Sequence, residues 1–455
     1  MILDANIKNS EFFKKITNIV EYESCIHPKL FDEYNIKRGL RNKNGTGVLV
    51  GLTKIASVIG YEKDGDVKLP LEGKLYYRGI TLTNLVKGIE SEGRCGFEEV
   101  IYLLVFGKLP DADELREFQG IINSLRELPD DYIEDVILKL PSKDIMNKLM
   151  RSTLSLYSYD EDPDNTDIPN VLLQSLNLIA KFPLIMAYCF QAKRYYTDKE
   201  TLILHQPKPD IGIAETILSL VREDGKYTTE EVELLDLLLI VHAEHGGGNN
   251  SAFATHVVSS SGTDTYSSIS AALGSLKGPR HGGAALQVSG MFEDADREIK
   301  DKTNDEDIRS YIKSILNKEA YDKSGLIYGM GHAIYTLSDP RSVLLRKKAE
   351  EVAKVKGEEF VRELDFLKTF EKIAGEELNK AKPGDYNRTS NVDFYSGFVY
   401  KMLGFPKELY TPLFATARIA GWCAHRLEQL SDRKIIRPGY VTLGDEKEYI
   451  PMEER

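Results

Sequence analysis

The sequence has few of the residues that build disulfide frameworks and cysteine metal sites. Its 455 residues include four cysteines, which lie far apart and form no C-x-x-C pair: Cys25, Cys95, Cys189 and Cys423. Such sparse cysteines argue against a disulfide-stabilised fold and against a zinc site, and they are typical of a reducing compartment. No apolar run approaches the ~18 residues that a membrane-spanning helix needs, so no membrane contact is expected.

The N-terminus also lacks the features of an export or targeting signal. The first twenty residues, MILDANIKNSEFFKKITNIV, contain no apolar core, and Asp4 and Glu11 argue against a transit peptide. We therefore expect a cytoplasmic protein.

The chain has fewer positively charged than negatively charged residues. The formal net charge is −12 and the sequence pI is near 5.4. This balance repels phosphate backbones, so no nucleic-acid partner is expected. With 42% hydrophobic and 29% charged residues, the composition is that of an ordinary globular protein.

Alternating β-type patterns are scarce, whereas 3.6-residue periodicity recurs along the chain. The early exception is VLVGLTKIASV (residues 48–58), which predicts a small sheet or hairpin. From Thr81 onward the pattern is helical, and Thr228 with Glu231 forms a capping-box signature before an apolar helix. We therefore predict an all-α fold with minor β-structure near the N-terminus.

Composition shifts divide the helical region. Residues 251–274 are rich in Ala, Ser, Gly and Thr, which indicates closely packed helices and a candidate subunit interface. Residues 294–382 are dense in Lys and Glu, and after 391 the chain is apolar again. We predict a large helical domain of residues 1–282 and 391–455, with an inserted small helical domain of residues 283–390. The segment 1–75 is assigned no definite structure.

The stretch HAEHGGGNN places His242 and His245 three residues apart. Two imidazoles on one helical face could share a metal ion, but the HExxH order is absent and no third ligand is evident. The pattern favours one core histidine and one polar histidine at a helix end.

The stretch KGPRHGGA frames His281 with helix breakers. Pro279 ends one helix, and the glycine pair after His281 lets another helix begin. The helix dipole would hold this imidazole neutral, able to donate a hydrogen bond to a developing oxyanion. The alternative is a turn histidine that caps a helix.

A second glycine-framed histidine, His332, occurs in GMGHAIYTLSDPR. Asp339 and Pro340 have the pattern of an N-cap and a first helical residue. Arg341 would then lie in the first turn, where the dipole disfavours a cation, so it needs an anion. A solvated surface arginine is an equal alternative.

Three further residues are candidates. Asp393, in SNVDFYSG, begins an apolar helix whose dipole would keep it ionised as a general base; a capping-box acid is the alternative. Arg418 lies among apolar residues in LFATARIAGWCAH, and since a buried unpaired guanidinium costs several kcal/mol, a substrate anion is its candidate partner. Arg437, in IIRPGY, is predicted to lie in a loop, and simple solvent exposure is the alternative to a binding role.

Five stretches together resemble the citrate synthase family, in the family's order: HAEHGGGNNSAFATHVV, GSLKGPRHGGA, GMGHAIYTLSDPR, NVDFYSG and ATARIAGW. The resemblance runs from about residue 75 to about residue 440. It implies a citrate synthase-like fold in a homodimer, with a large and a small helical domain closing on substrate. The implied reaction condenses acetyl-CoA with oxaloacetate and then hydrolyses the thioester to citrate.

The resemblance also implies roles for individual residues. His281 would stabilise the enolate of acetyl-CoA, Asp393 would remove its methyl proton, and His332 would polarise the ketone of oxaloacetate. His245 would help to bind oxaloacetate. The carboxylates would be bound by three arginines, the last of them from the other subunit: Arg341, Arg418 and Arg437. No cofactor and no metal are implied, since the CoA thioester is a substrate.

Two positions depart from the family pattern. Thr336 stands where the family usually has a Lys or Arg that contacts the CoA phosphates, and Gly439 stands where many bacterial members have a second arginine. Lys277 and Arg280 are therefore the candidates for the CoA side.

Three alternatives stay open. A 2-methylcitrate synthase would use the same machinery on propionyl-CoA, because one methylene is worth only ~1–3 kcal/mol in a pocket. The HAEH stretch could mark a metal-dependent hydrolase. A helical scaffold without activity is the non-enzymatic alternative, although every named catalytic position is present.

Overall fold

The computed structural model describes residue 8 and residues 10–65, 67–381, 388–432, 434–443 and 446–454. The chain divides into two compact units, one of Met1–Val50 with Arg437–Arg455 and one of Gly51–Ile436. The predicted boundaries at 282/283 and 390/391 both fall within the second unit. The division into a large and a small domain stays a prediction.

The α-helices that the structure describes in the first unit are α1 (Glu11–Glu23) and α2 (Pro28–Glu33). Ser10 caps α1 by accepting a hydrogen bond from the backbone N–H of Phe13 at 3.1 Å. None of the residues in α1 or α2 is buried, and Tyr22 in α1 is 80% exposed.

The second unit begins with an antiparallel sheet in the order β1-β2-β3, formed by β1 (Ala56–Asp64), β2 (Val67–Tyr77) and β3 (Ile80–Thr81). The predicted hairpin is therefore present, but it starts at Ala56 and not at Val48. Leu49 and Leu52 are almost fully exposed and pair with no described strand. An apolar run without a neighbouring strand cannot complete its backbone hydrogen bonds as a sheet.

The rest of the second unit is helical, which confirms the predicted all-α fold with a minor N-terminal sheet. Its α-helices are α3 (Leu82–Ser91), α4 (Phe97–Phe106), α5 (Ala112–Ser124), α6 (Ile145–Ser155), α7 (Ile168–Lys193), α8 (Ile213–Val221), α9 (Thr229–His242), α10 (Asn250–Ser259), α11 (Thr265–Lys277), α12 (Ala284–Glu298), α13 (Asp305–Leu316), α14 (Pro340–Lys356), α15 (Glu358–Ala381), α16 (Val392–Met402) and α17 (Tyr410–Asp432).

The helix ends follow the local signals of the sequence. Thr228 and Glu231 form the predicted capping box at the start of α9. α11 ends at Lys277 and α12 begins at Ala284, so the stretch around His281 is the predicted turn. Asp339 caps α14, and Pro340 is its first residue. Local chemistry alone therefore places these turns.

The helix α7 is the most apolar long helix among the described residues. With its continuation it spans Ile168–Asp198, and by length and composition it could cross a membrane. However, 72% of its most apolar window is buried inside the protein. Buried core helices pass the same test of length and composition.

Helix α17 is central to the second unit, because it contacts α4, α7, α9, α10 and α11. Arg426 in α17 is fully buried and donates to Thr265 Oγ1 at 3.0 Å and to Ser268 Oγ at 2.9 Å. The small residues of 251–274 thus form closely packed helices, as predicted. Their place in a subunit interface stays a prediction.

Candidate active site

His245 lies in the loop after α9, not on the helix. α9 ends at His242, and Gly246 adopts a φ of 81°, so the shared helical face predicted for the two histidines is wrong. His245 Nε2 is buried and has no hydrogen-bond partner in the described part of the chain. Burial, together with Arg341, holds the pKa of His245 well below its ordinary value. His245 is therefore a neutral imidazole.

His242 is the core histidine that the sequence favours. Its Nδ1 lies 2.8 Å from the carbonyl oxygen of Leu238, and its ring packs edge-on against Phe414 with 4.6 Å between the ring centroids. Burial lowers the pKa of His242 to about 3. The backbone carbonyl of His242 accepts a hydrogen bond from Arg418 Nε at 2.7 Å.

His332 lies in the irregular segment before α14. Its Nδ1 accepts the backbone N–H groups of Ile334 and Tyr335, each at 3.1 Å. A ring nitrogen that accepts carries no proton, so the proton of the neutral ring is on Nε2. The Tyr335 ring stacks on His332 at 4.5 Å, and the His245 ring stands perpendicular to it at 5.1 Å. His332 can therefore donate one hydrogen bond from Nε2.

Backbone hydrogen bonds join the His332 segment to the start of α16. Gly331 N donates to Thr389 O at 2.8 Å, and Asn391 N donates to Gly329 O at 2.9 Å. The Asn391 side chain donates to Gly331 O at 3.0 Å. These bonds place His332 beside the turn that carries Asp393.

The β1–β2 hairpin supports the same segment from another side. A Cβ on Gly60 would lie 2.5 Å from the Cα of Tyr335, and a Cβ on Gly73 would collide with the Tyr335 ring. Thr336 is buried; its Oγ1 donates to Gly60 O and accepts from Leu71 N at 3.1 Å. Thr336 thus connects the segment that carries His332 to the hairpin. The threonine, which stands where the family usually has a Lys or Arg, therefore has a structural role here.

Asp393 is in the first turn of α16, but it does not cap the helix. Asn391 is the N-cap and accepts the N–H of Asp393 at 3.0 Å, so the capping-acid alternative is wrong. Asp393 Oδ1 is buried, and no described group hydrogen bonds to it. Burial raises the pKa of Asp393 to about 6 against the opposing effect of Arg341. The expected effect of the helix dipole is therefore outweighed by burial.

Arg341 is not a surface arginine, since it is only 4% exposed. It already has an anionic partner: its Nη2 lies 2.7 Å from Asp339 Oδ2, and its Nε donates to Asp339 Oδ1 at 3.0 Å. The carboxylate of the N-cap residue Asp339 is therefore the anionic partner that the sequence predicted for Arg341. Burial would lower the pKa of Arg341, but Asp339 raises it, so this arginine stays a cation.

Arg418 is 1% exposed in the middle of α17. Its Nε donates to the His242 carbonyl, and its guanidinium lies over the Phe414 ring at 4.8 Å. Its Nη2 is buried with no hydrogen-bond partner among the described residues. Burial lowers the pKa of Arg418 to about 10. A buried guanidinium with an unused N–H group favours an anionic ligand.

His281 follows α11 and precedes α12 by three residues. Its Nε2 lies 3.0 Å from Ser251 Oγ, which also accepts a hydrogen bond from Trp422 Nε1 at 3.1 Å. Burial and then the charge of Arg418 lower the pKa of His281 to about 4. The imidazole is neutral as predicted, but the cause is burial and a nearby cation, not the helix dipole.

The structure brings most of the predicted site residues together. Arg341 and Arg418 both lower the pKa of Asp393 and of His245, and Arg418 lowers that of His281. Ring contacts then join His332 to His245. The residues brought together are His245, His281, His332, Arg341, Asp393 and Arg418.

The remaining predicted residues are exposed. Lys277 is exposed and pairs with Asp144, with 2.8 Å between Nζ and Oδ2. Arg280 is exposed in the turn before His281. Arg437 and Gly439 are exposed and belong to the other compact unit. The roles of Lys277 and Arg280 in CoA binding, and of Arg437, stay predictions.

Sequence reasoning missed several supporting residues. Ser251 contacts His281, Tyr335 stacks on His332, and Glu244 is fully buried beside His245. Glu244 was visible within the HAEH motif as an acid in an apolar context. Ser251 and Tyr335 carried no comparable local signal.

The described residues also include one set of side chains with the spacing of metal ligands. The ligand atoms of His256, His425 and Glu428 lie within 4.8 Å of one another. This set includes neither His242 nor His245, and His242 Nδ1 is taken by the Leu238 carbonyl. The predicted metal alternative for HAEH therefore has no support in the geometry of that motif.

Comparisons with known proteins agree with the fold. The family model "Citrate synthase, C-terminal domain" matches residues 43–439. The chain is 32% identical to a citrate synthase of Haloferax volcanii over 92% of this chain and 99% of that protein. It is 33% identical to 2-methylcitrate synthase 1 of Corynebacterium glutamicum over 92% of this chain and 98% of that protein.

Solved structures show the same similarity. A ternary complex of Thermoplasma acidophilum citrate synthase with carboxymethyl coenzyme A and oxaloacetate aligns with a TM-score of 0.73 at 28% identity, covering 92% of this chain and 99% of that one. Citrate synthase of Thermotoga maritima aligns with a TM-score of 0.70 at 31% identity, covering 91% and 99%. Because the family model spans most of the chain and its relatives match almost to their full length, the chain belongs to the citrate synthase family.

Proposed function

We propose that this protein is a citrate synthase, which condenses acetyl-CoA with oxaloacetate and hydrolyses the product thioester to citrate and coenzyme A. Membership of the family supports this function. The site also supports it, because it combines buried cations, neutral imidazoles and one carboxylate, the groups that this reaction requires.

The observation that carries the proposal is the set of unused polar atoms in one enclosed region. Arg418 Nη2, His245 Nε2 and Asp393 Oδ1 are all buried, and none hydrogen bonds to a described residue. Leaving such atoms without partners is costly, so their presence together favours a bound polar ligand. A dicarboxylate such as oxaloacetate would accept from Arg418 and His245, with Arg341 as a second cation.

In the proposed condensation, the Asp393 carboxylate takes a proton from the acetyl methyl group, and His281 donates a hydrogen bond to the developing enolate oxygen. The enolate carbon then attacks the ketone carbon of oxaloacetate. His332 gives its Nε2 proton to the ketone oxygen, which becomes the hydroxyl group of citryl-CoA, and the proton that Asp393 took from the methyl group restores the neutral His332 ring. Water then cleaves the thioester, giving citrate and coenzyme A. Lys277 and Arg280 are the proposed contacts for CoA phosphates.

An assay of the purified protein with acetyl-CoA and oxaloacetate tests this function. Release of the free coenzyme A thiol together with citrate is the expected result, and each substrate alone should give neither product. Absence of citrate over a range of pH and protein concentration would contradict the proposal.

A second candidate function is 2-methylcitrate synthesis from propionyl-CoA. It is favoured by the Corynebacterium glutamicum relative, which is as similar to this chain as the citrate synthases are. Values of kcat/KM for acetyl-CoA and propionyl-CoA, measured at saturating oxaloacetate, decide between the two. A higher value for propionyl-CoA would assign the second function.

We also propose that the protein is a homodimer to which Arg437 of each chain contributes a carboxylate contact. The small-residue helices α10 and α11 support a close helix contact between chains, since the apolar side chain of Val257 in α10 is exposed. Light scattering gives the mass directly. Mixing the inactive variants Asp393→Asn and Arg437→Gln tests whether each active site uses residues of both chains. Mixed dimers would regain activity only if one site can combine the intact Asp393 of one chain with the intact Arg437 of the other.

A further inference from the structure

One buried ion pair lies next to the site and has no part in the proposed chemistry. His425 Nε2 is 3.0 Å from Glu244 Oε1, and both side chains are completely enclosed. Glu244 immediately precedes His245, and its backbone carbonyl accepts a hydrogen bond from the Tyr77 hydroxyl at 3.1 Å. A buried ion pair is weak evidence for stability, so its position calls for another explanation.

Helix α17 presents this pair and Arg418 on one face. Arg418, Gly421 and His425 follow at spacings of three and four residues, so they lie in a row along the helix. A Cβ on Gly421 would collide with the Glu244 carboxylate. The carboxylate therefore lies over Gly421, with the guanidinium one turn before it and the imidazole one turn after it.

Two groups of opposite charge at this face, the Glu244 carboxylate and the Arg418 guanidinium, each keep one atom that makes no hydrogen bond to a described residue. Glu244 Oε2 and Arg418 Nη2 are buried, and neither has a hydrogen-bond partner in the described residues. Burial lowers the pKa of Arg418 and the charge of Glu244 raises it, and a buried arginine and carboxylate near each other would ordinarily form a paired contact. Here the carboxylate is bound by His425 through Oε1, and the guanidinium is bound by the His242 carbonyl through Nε.

We propose that His425 holds the Glu244 carboxylate away from Arg418, so that the guanidinium stays available for a substrate carboxylate. His425 and Glu244 are then positioning residues, because they set the availability of Arg418 and touch no substrate themselves. The inference rests on the proposed role of Arg418 in substrate binding.

The groups around His425 are consistent with a charged ring. Its Nδ1 faces His256 Nε2 at 3.1 Å and Glu428 Oε2 at 3.8 Å. His256 Nδ1 is bonded to Gln429 Oε1 at 2.8 Å, so His256 Nε2 is free to accept from His425. Burial alone would lower the pKa of His425, but Glu244 and Glu428 raise it to about 9. At neutral pH His425 is therefore an imidazolium between two carboxylates.

Steady-state kinetics of three variants test the inference. In His425→Gln, the Glu244 carboxylate loses its partner and competes for Arg418, so KM for oxaloacetate should rise about tenfold or more, as for one lost charged hydrogen bond. The kcat should change much less. The double variant Glu244→Gln/His425→Gln removes the competing carboxylate and should bring KM back close to that of the native protein. His27→Gln, at an exposed position, is the matched control.

A native KM in His425→Gln overturns the inference, and so does a double variant no better than the single one. A purely structural pair would instead lower Tm in His425→Gln and in the double variant, without this recovery of KM. The proposed role of Arg418 is tested separately, because Arg418→Gln with unchanged oxaloacetate affinity would contradict that role.

The native protein provides a test that needs no foldable His425 variant. KM for oxaloacetate should rise as the pH passes about 9, where His425 loses its proton. Glu244 and Glu428 have lowered pKa values, as has His256, so they do not titrate in this range. If the rise in KM came from loss of the Arg418 proton, it would persist in Glu244→Gln. If it comes from loss of the His425 proton, it should disappear in that variant. A flat profile in the native protein, or an equal rise in Glu244→Gln, overturns the inference.

Discussion

Asp393 and His281 illustrate how burial sets the chemistry of single residues in this protein. Burial raises the pKa of Asp393 to about 6 and lowers that of His281 to about 4. In water the carboxyl group has the lower pKa of the two, whereas in this protein the imidazole has the lower pKa. Above about pH 6 the carboxylate is a base and the imidazole is a neutral donor, which is the combination that enolisation requires.

Asp393→Asn should abolish turnover while oxaloacetate binding stays nearly unchanged. Loss of a general base typically costs about 10²–10⁴-fold in rate. Because the change also removes a buried carboxylate, Tm should be equal or higher at neutral pH. Steady-state kinetics, calorimetric titration with oxaloacetate and thermal melts measure the three effects. A variant that kept more than half of the native kcat would show that Asp393 is not the base.

The pH dependence of the native protein should report the same carboxyl group. Since the pKa of Asp393 is raised, protonation in the folded protein occurs as the pH falls through about 6. The value of kcat should therefore fall tenfold for each pH unit well below 6. The protonated form also favours folding, so any stability from this group is lost as the pH rises through 6. A kcat that stays constant down to pH 4.5 would contradict the assignment.

His281→Gln should spare oxaloacetate binding and greatly slow enolisation. The neutral imidazole is the donor expected to stabilise the enolate, and a single donor of this kind is worth about 10²–10³-fold. Exchange of the acetyl methyl protons of acetyl-CoA with deuterated water measures this step without the full reaction. Unchanged exchange would remove His281 from the mechanism.

At the scale of secondary-structure elements, the β1–β2 hairpin is the main support of the His332 segment. Gly60 and Gly73 let the hairpin backbone approach Tyr335 more closely than any larger residue would permit. Thr336 then completes the contact with hydrogen bonds to both strands. The sheet therefore serves the site, although it supplies no catalytic side chain.

Gly60→Ala should disturb this support. The added Cβ would lie 2.5 Å from Ile334 O and from Tyr335 Cα, so the segment must move or the hairpin must separate from it. Overpacking of this kind costs about 1–3 kcal/mol, and kcat/KM for oxaloacetate should fall along with Tm. Gly51→Ala is the matched control, because a Cβ there meets nothing within 4 Å. Equal behaviour of the two variants would show that the close contact is not needed.

At the scale of the whole molecule, the two buried arginines should couple the binding of the two substrates. Arg341 lowers the pKa of Arg418, so the two cations repel each other. The ion pair between Arg341 and Asp339 reduces this repulsion. Oxaloacetate would cancel what remains, and we expect it to bind first and to complete the acetyl-CoA site.

The coupling should appear as a five- to 150-fold tightening of acetyl-CoA, about 1–3 kcal/mol, once oxaloacetate is bound. Calorimetry with a non-reacting acetyl-CoA analogue, with and without oxaloacetate, measures it directly. Equal affinity in the two titrations would contradict ordered binding and indicate independent sites.

The sequence by itself determined the features that depend on neighbouring residues. The helix periodicity, the capping box at Thr228, the turn around His281 and the N-cap at Asp339 are all local, and the structure reproduces them. The five family stretches likewise identified the residues that meet at the site, because each stretch is short and contains its own glycines, histidines or arginine.

Only the tertiary structure decided how these residues are charged and held. Asp393 and His281 owe their pKa values mainly to enclosure by distant segments, and not to the helix dipoles that the sequence suggested. Thr336 is tied to a hairpin more than 260 residues away along the chain, and His425 reaches Glu244 only through the packing of α17. Burial and long-range contacts depend on the complete fold, so no local pattern could have specified them.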